Sequence, residues 1–155
     1  MDEILKHLLE EEAELQFTSF DADTAWQIGS SLVKQAVAEN LSITMDITRG
    51  EHQIFHASRP GTSVDNDEWV KRKVRLVYRF GHSSYYIGQL LKSKGQRLEE
   101  AYFVSETLYA PNGGCFPVIL KGSGVIGTIT VSGLTQEADH QLVVQAIRSY
   151  LKQPK

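Results

Sequence analysis

Two charged side chains stand at positions where the pattern predicts apolar ones, and they are the strongest candidates for ligand chemistry. In the segment 67–80, a helical period of 3.6 residues places Lys73 near the middle of an apolar arc that includes Trp69. In the last helical segment, Asp139 falls on the same arc as Leu142. A lysine on an apolar arc reaches solvent, pairs with a carboxylate, or binds an anion. Two hypotheses follow: Lys73 and Asp139 form one buried polar network, or they flank a ligand pocket.

The five histidines raise the question of a metal site. By simple alternation His52 and His56 share one face of a predicted strand, but four residues of strand separate them by ~13 Å, too far for one ion. With a single cysteine and no paired carboxylate motif, we expect no pre-built metal site. His56, His82 and His140 stay candidates for a single axial ligand of a cofactor, although an ordinary hydrogen-bonded histidine is the simpler interpretation of each.

Cys115 is the one thiol of the chain. It follows two glycines and precedes an aromatic residue, so it is either a buried, inert side chain or a loop thiol activated by a nearby cation. The sequence contains neither a G-x-S-x-G elbow nor a Walker-type phosphate loop, so neither hydrolase nor nucleotide-triphosphatase chemistry is predicted. Whether the protein is an enzyme stays open.

The clearest local pattern is a hairpin made of two apolar runs, 116–121 and 125–132, around a glycine-containing connection at 122–124. One face of the second run is apolar, and the other carries hydroxyls. Glycines at both ends of the hairpin permit close approach of another group, so we expect both ends to line a pocket. The candidates there are Gly113, Gly114, Phe116, Ser132 and Gly133.

Helical and extended patterns alternate along the rest of the chain. They predict a helix at 2–13, an extended piece at 15–17, a helix from the cap Asp21 to Asn40, a hairpin of 43–48 with 52–57, a helix from about Asp67 to Phe80, a helix at 84–94, and a last helix after the cap Thr135. Segment 98–111 is ambiguous between a strand and a short helix. This order predicts an α+β fold, an antiparallel sheet with helices on both faces.

Length and composition narrow the class of protein. A chain of 155 residues fits a single domain spanning 1–155. The formal net charge of −3 argues against a nucleic-acid partner, and no apolar run is long enough to span a membrane. The acidic amino terminus and the lone cysteine predict a cytoplasmic location.

Several motifs together resemble one family. They are Gly113-Gly114-Cys115-Phe116-Pro117-Val118, the hairpin segment 124–134, Asp139-His140, Arg59-Pro60-Gly61-Thr62, Trp69 with Arg72-Lys73, and Ser83-Ser84-Tyr85-Tyr86. This set resembles the haem-degrading-domain, or GlcG-like, family, within the branch catalogued as uncharacterised protein family 0303. The resemblance implies a profilin-like α/β/α sandwich with a five-stranded antiparallel sheet, assembly into homo-oligomers, and binding of haem or a corrinoid, with haem breakdown in some members.

The combined interpretation is a small-molecule-binding domain whose ligand is haem, a related tetrapyrrole or another anionic metabolite. An interaction module without a metabolite is the alternative, and an enzyme using Cys115 or Lys73 as nucleophile is a third. The candidate ligand-binding residues are Lys73, Trp69, Gly113, Gly114, Phe116, Ser132, Gly133, Asp139 and His56.

Overall fold

A single antiparallel sheet lies between two groups of helices in this computed structural model, which describes residues 2–154. The strands are ordered β2-β1-β4-β3. None of the described helices combines the length and the apolar character that crossing a membrane requires. The elements in chain order are α1 (Glu3–Glu14), α2 (Ala22–Glu39), β1 (Thr44–Arg49), β2 (His52–Ser58), α3 (Val64–Phe80), α4 (Ser84–Lys94), α5 (Leu98–Tyr102), β3 (Cys115–Leu120), β4 (Gly124–Ser132) and α6 (Gln136–Leu151).

One face of the sheet carries the main apolar core. Alternate residues of the strands, among them Met45, Ile129 and Val131, point to this side and are fully buried. Helices α2 and α6 cover them and contact each other. As predicted, α2 begins at Asp21, whose side chain accepts a hydrogen bond from the Thr24 backbone N–H. The apolar residues at every second position of the strands therefore pack against the apolar faces of the two helices, which repeat every 3.6 residues, and together they form one layer.

The other face of the sheet is polar although it is buried. The β1–β4 register pairs Thr44 with Ser132, Asp46 with Thr130, and Thr48 with Thr128, so hydroxyls and one carboxylate stand in a row. Helix α3 packs over these strands. A buried polar surface must be hydrogen-bonded, or burial costs free energy. Two of the candidate ligand-binding residues, Lys73 and Ser132, are buried in this layer.

Two expectations about the fold differ from the structure, and one that was left open is resolved. In residues 2–154 the sheet has four strands rather than the five that the resemblance implies, and the predicted extended piece at 15–17 contributes an isolated parallel bridge between Phe17 and Leu120. Helix α3 starts at Val64 rather than near Asp67, because Ser63 caps it. Within 98–111 the chain forms the short helix α5 and then irregular structure. That helix ends at Phe103, whose φ of 58° is left-handed and stops it.

Helix α1 is held to the rest of the protein by two buried carboxylates. Glu11 Oε1 lies 2.9 Å from Nε2 of the fully buried His140 in α6. Glu12 Oε1 lies 2.7 Å from Nδ1 of His82, and its Oε2 accepts the backbone N–H of Ser83. The hydrogen bond to Glu12 raises the pKa of His82 above its ordinary value.

This raised pKa predicts a pH-dependent part of the stability. Because the pKa of His82 is higher in the folded state, the imidazole contributes to the free energy of unfolding. This contribution is complete at pH values below 6.5, the pKa of the unfolded state, and is lost as pH rises through the pKa of the folded state. Urea unfolding measures the loss of stability that His82→Gln causes at pH 6 and at pH 9. We expect this loss to be larger at pH 6 by roughly 0.5–1 kcal/mol. His52→Gln, at an exposed position, should show no such difference, and equal behaviour of the two variants would contradict the assignment.

Candidate functional site

A cavity of about 300 Å³ opens beside the first half of α3, where four segments meet. Helix α3 contributes two side chains, and the segment before β3 contributes two residues. The end of β4 and the turn after it contribute three residues, and the start of α6 contributes two. Its lining residues are Trp69, Lys73, Asn112, Gly113, Ser132, Gly133, Leu134, Gln136 and Asp139.

Lys73 is the charged group at the base of this cavity. Its side chain is almost fully buried, with the residue only 3% exposed. Nζ donates to the carbonyl oxygen of Val131 at 3.2 Å and to Oδ2 of Asp139 at 3.4 Å. Burial lowers the pKa of Lys73, and the carboxylate of Asp139 counteracts this effect. The ammonium therefore depends on Asp139 to remain charged inside the protein.

Asp139 occupies the first turn of α6 and bonds to the chain that leads into it. Its Oδ1 accepts the backbone N–H of Leu134 at 2.9 Å, and its Oδ2 accepts that of Gly133 at 3.3 Å. Burial raises the pKa of Asp139, while Lys73 and the two backbone donors lower it. The carboxylate is thus a structural counter-charge as well as part of the cavity wall.

Gly114 leaves the space in which the Lys73 ammonium sits. A Cβ at this position would lie 2.6 Å from Nζ of Lys73, and the φ of 135° is one that side chains rarely adopt. Only glycine fits this combination without moving the lysine. Gly114 therefore stands behind the charged group rather than on the cavity surface.

The mouth of the cavity carries a flat aromatic surface. The guanidinium of Arg72 stacks over the ring of Trp69 at 4.0 Å from its centroid. Arg72 also adds a second positive charge near Lys73, against the single negative charge of Asp139. The local balance is one net positive charge beside an indole ring, which suits an anionic ligand with a flat apolar body.

Six of the nine sequence candidates line this cavity: Lys73, Trp69, Gly113, Ser132, Gly133 and Asp139. Phe116 does not, because neighbouring residues of a strand point to opposite faces, and this one packs in the apolar core under α2 and α6. The expectation that it forms a cavity wall is wrong.

The backbone donors of the cavity are already used. The N–H of Gly113 donates to Oε1 of Gln136, and the N–H of Gly133 donates to Asp139. Neither N–H group is therefore free to donate to a ligand. Asn112, Leu134 and Gln136 line the cavity but were not predicted. The one available signal was that all three flank a predicted candidate or the Thr135 cap in sequence.

His56 lies in a second cavity, of about 320 Å³, on the other flank of α3. Its Nδ1 is 3.2 Å from Oδ1 of the buried Asp46, and its Nε2 is 3.3 Å from Oδ1 of Asp67. Asp46 also accepts hydrogen bonds from Gln53 Nε2 at 2.6 Å and Thr48 Oγ1 at 2.8 Å. His56 is therefore separated from the Lys73 cavity and oriented by a carboxylate.

The prediction that His52 shares the face of His56 is wrong because β2 contains a bulge. Ile47 pairs with Phe55, and the next residue, Thr48, pairs with Gln53, which leaves an extra residue between them. The bulge reverses the alternation, so Gln53 rather than His52 joins His56 on the polar side of the sheet. Alternation alone cannot reveal such a shift.

Comparison with known proteins gives the family. The model of the "Haem degrading protein HbpS-like" family matches residues 20–148. The chain belongs to this family. A UPF0303 protein of Streptomyces coelicolor is 44% identical over 144 residues, covering 93% of this chain and 91% of that protein. A UPF0303 protein of Psychromonas ingrahamii is 40% identical over 148 residues, with coverages of 96% and 93%.

Solved structures of related fold agree with this HbpS-like assignment. The Ybr137w protein superposes with a TM-score of 0.84 at 31% identity, over 94% of this chain and 86% of that one. A structure described as a PduOC:heme complex has a TM-score of 0.70 at 14% identity, over 84% of this chain and 94% of that one, and therefore shows shared fold alone.

In this HbpS-like chain, Cys115 faces the buried polar layer and is not exposed. Burial raises its pKa to about 12, so the thiolate form is scarce at neutral pH. Its backbone N–H and carbonyl both bond to Oγ of Ser84, which fixes the start of β3 against α4. These features favour the inert interpretation of the thiol.

Cys115 should accordingly resist alkylation in the native protein. We expect iodoacetamide at pH 8 to leave it unmodified over a time in which the same protein unfolded in urea reacts fully, as measured by intact mass. Rapid modification of the folded protein would contradict the burial of this side chain.

The Lys73–Asp139 pair should show strong coupling in a double-mutant cycle. Removing one partner leaves the other charge buried, so Lys73→Met should lower the free energy of unfolding by about 3 kcal/mol. The double variant Lys73→Met/Asp139→Asn should lose less than the sum of the two single changes. Lys71→Met, which affects an exposed pair with Glu68, is the control and should cost no more than about 1 kcal/mol. Additive effects at 73 and 139 would argue against a direct pair.

Proposed function

We propose that this HbpS-like protein binds a small molecule that carries a carboxylate, with the Lys73 ammonium as the anchoring group. The observation that carries the proposal is a buried lysine at the base of a cavity that is open to solvent. An ammonium has three hydrogens to donate. Among residues 2–154 two acceptors meet it, Val131 and Asp139, which leaves one donor for a ligand.

The first candidate ligand is a tetrapyrrole. Support comes from the family description, which names haem, and from the heme complex of a structural neighbour. In this arrangement a propionate would meet Lys73 and the macrocycle would lie against Trp69. A volume of about 300 Å³ is at the lower end of the usual range for ligand cavities. The cavity therefore suits one edge of a tetrapyrrole, or the whole of a smaller acid.

Binding would also act on Asp139. A ligand carboxylate near Lys73 competes with Asp139 for the same ammonium, and two neighbouring carboxylates disfavour the charged form of each other. Replacing Asp139 by asparagine removes this competition, and the ligand carboxylate then takes the place of Asp139 as the counter-charge that keeps Lys73 protonated. The two members of the pair should therefore have opposite effects on ligand affinity.

The test is a titration of the purified protein with haemin, followed by its Soret absorbance, and with metal-free protoporphyrin IX, followed by fluorescence. We expect saturation at one ligand per chain. Lys73→Met should weaken binding of both probes by roughly tenfold or more, and Asp139→Asn should strengthen it. Both changes destabilise the fold, so opposite shifts in affinity cannot come from partial unfolding.

Lys71→Met is the matched control, since it removes an exposed lysine of the same helix, and His56→Ala tests axial ligation from the second cavity. We expect neither to change the affinity for either probe. A non-saturating response of the parent protein to both probes would refute the tetrapyrrole assignment. Equal affinities of the parent and Lys73→Met would refute the anchoring role of Lys73.

A second candidate function, protein–protein interaction, is favoured by exposed aromatic side chains. Phe103 is 90% exposed at the end of α5, and Trp26 is 66% exposed on α2. Such residues are enriched in interfaces between proteins. We propose a homo-oligomer, and mass measurement of Trp26→Ser and Phe103→Ser should show a smaller species than the parent. A monomeric parent would refute the homo-oligomer.

A further inference from the structure

The second cavity, on the β2 side of α3, contains a histidine and an aspartate whose geometry is not that of a hydrogen bond. Nε2 of His56 and Oδ1 of Asp67 are 3.3 Å apart. Oδ1 is shielded from solvent, although the Asp67 side chain is 36% exposed, and no group in residues 2–154 donates to it. A buried acceptor without a donor is rare and calls for an explanation.

The orientation of His56 identifies which ring nitrogen faces the cavity. Its Nδ1 lies 3.2 Å from the buried carboxylate of Asp46, so the ring proton belongs on Nδ1. Asp46 is itself fixed by hydrogen bonds from Gln53 and Thr48. In the neutral ring, Nε2 is then a lone pair next to Oδ1 of Asp67. Two such acceptor atoms repel each other unless a cation, either a ring proton or a metal ion, lies between them.

A metal ion explains both the distance and the missing hydrogen bond. For bonds near 2.1 Å, two ligands of one ion are separated by roughly 3.0–3.4 Å in octahedral or tetrahedral geometry. An ion bound by both atoms lies off the line that joins them, whereas a hydrogen bond needs the ring N–H direction to follow that line. The 3.3 Å between His56 Nε2 and Asp67 Oδ1 fits two ligands of one ion, and the two atoms do not form a hydrogen bond. Both observations are those expected of a chelating pair.

We propose that His56 Nε2 and Asp67 Oδ1 bind a divalent transition-metal ion, with Zn²⁺ as the model ion. Asp46 is a positioning residue that holds the imidazole through Nδ1, as carboxylates do behind metal-bound histidines. The nearby ammonium of Lys71 pairs with Glu68 at 2.9 Å rather than with Asp67. No group of three His, Cys, Asp or Glu in the described residues is placed to hold a metal, so water completes the coordination and the ion is exchangeable.

The test is calorimetric titration of the tag-free protein with Zn²⁺, repeated with Co²⁺ to follow its absorbance. We expect one site per chain. His56→Ala and Asp67→Asn should each remove it, while Asp46→Asn should keep the stoichiometry and weaken affinity by about 10–100-fold. The controls are His52→Ala, an exposed histidine of the same strand, and Asp65→Asn, an exposed aspartate of the same helix turn. Both should bind as the parent does.

The result is independent of the tetrapyrrole proposal, because Lys73→Met should leave Zn²⁺ affinity unchanged. Circular dichroism of each variant establishes that it is folded before its titration is interpreted. Absence of saturable binding by the parent would overturn the proposal, and so would parent-like affinity in folded His56→Ala or Asp67→Asn.

Discussion

The structure depends on placing an amphipathic helix over a sheet face that is polar. In many antiparallel sheets one face packs on the apolar core and the other faces solvent. Here α3 covers the second face, so a row of hydroxyls and the Asp46 carboxylate are buried together with the lysine of α3. Because each of these groups needs a partner, the Lys73–Asp139 pair ties α3 to β4 and to the first turn of α6. The position of α3 is thereby fixed by charge and hydrogen bonding as well as by packing.

This constraint accounts for the two cavities. A helix that rests on a polar layer cannot close against it on both sides with apolar side chains, so space remains along each flank. On one flank the lining carries a lysine and an indole, and on the other a histidine between two aspartates. The two sites share the same helix yet differ in the sign of their charge. One helix therefore borders two cavities of opposite charge.

The sequence predicts most of the fold because its signals are local. The caps Asp21 and Thr135 and the left-handed end at Asn40 set helix boundaries correctly. The anomalies of Lys73 and Asp139 mark two side chains that line one cavity, because a charge on an apolar arc needs a partner in space. The direct contact between them was one of two hypotheses, and the sequence could not choose between the two because the contact joins residues 66 positions apart.

The errors arose where strand pairing between separate segments differs from what the local sequence pattern predicts. One extra residue in β2 exchanges the faces of His52 and Gln53, and no composition signal marks it. The fifth strand that the resemblance implies is absent from residues 2–154. Segment 15–17, predicted only as an extended piece, meets β3 at a single bridge, because strand pairing rather than local propensity decides the outcome.

The two carboxylates of α1 have a consequence for how the protein can be shortened. The family match begins at residue 20, which makes the first helix look like a dispensable extension. Yet Glu11 supplies the partner of His140 Nε2, on a side chain with no access to solvent. A truncated chain beginning at residue 20 would leave that imidazole nitrogen without its hydrogen-bond partner and would also remove the partner of His82. Boundaries drawn from the range of the family match alone would thus cut through the hydrogen bonding of the interior.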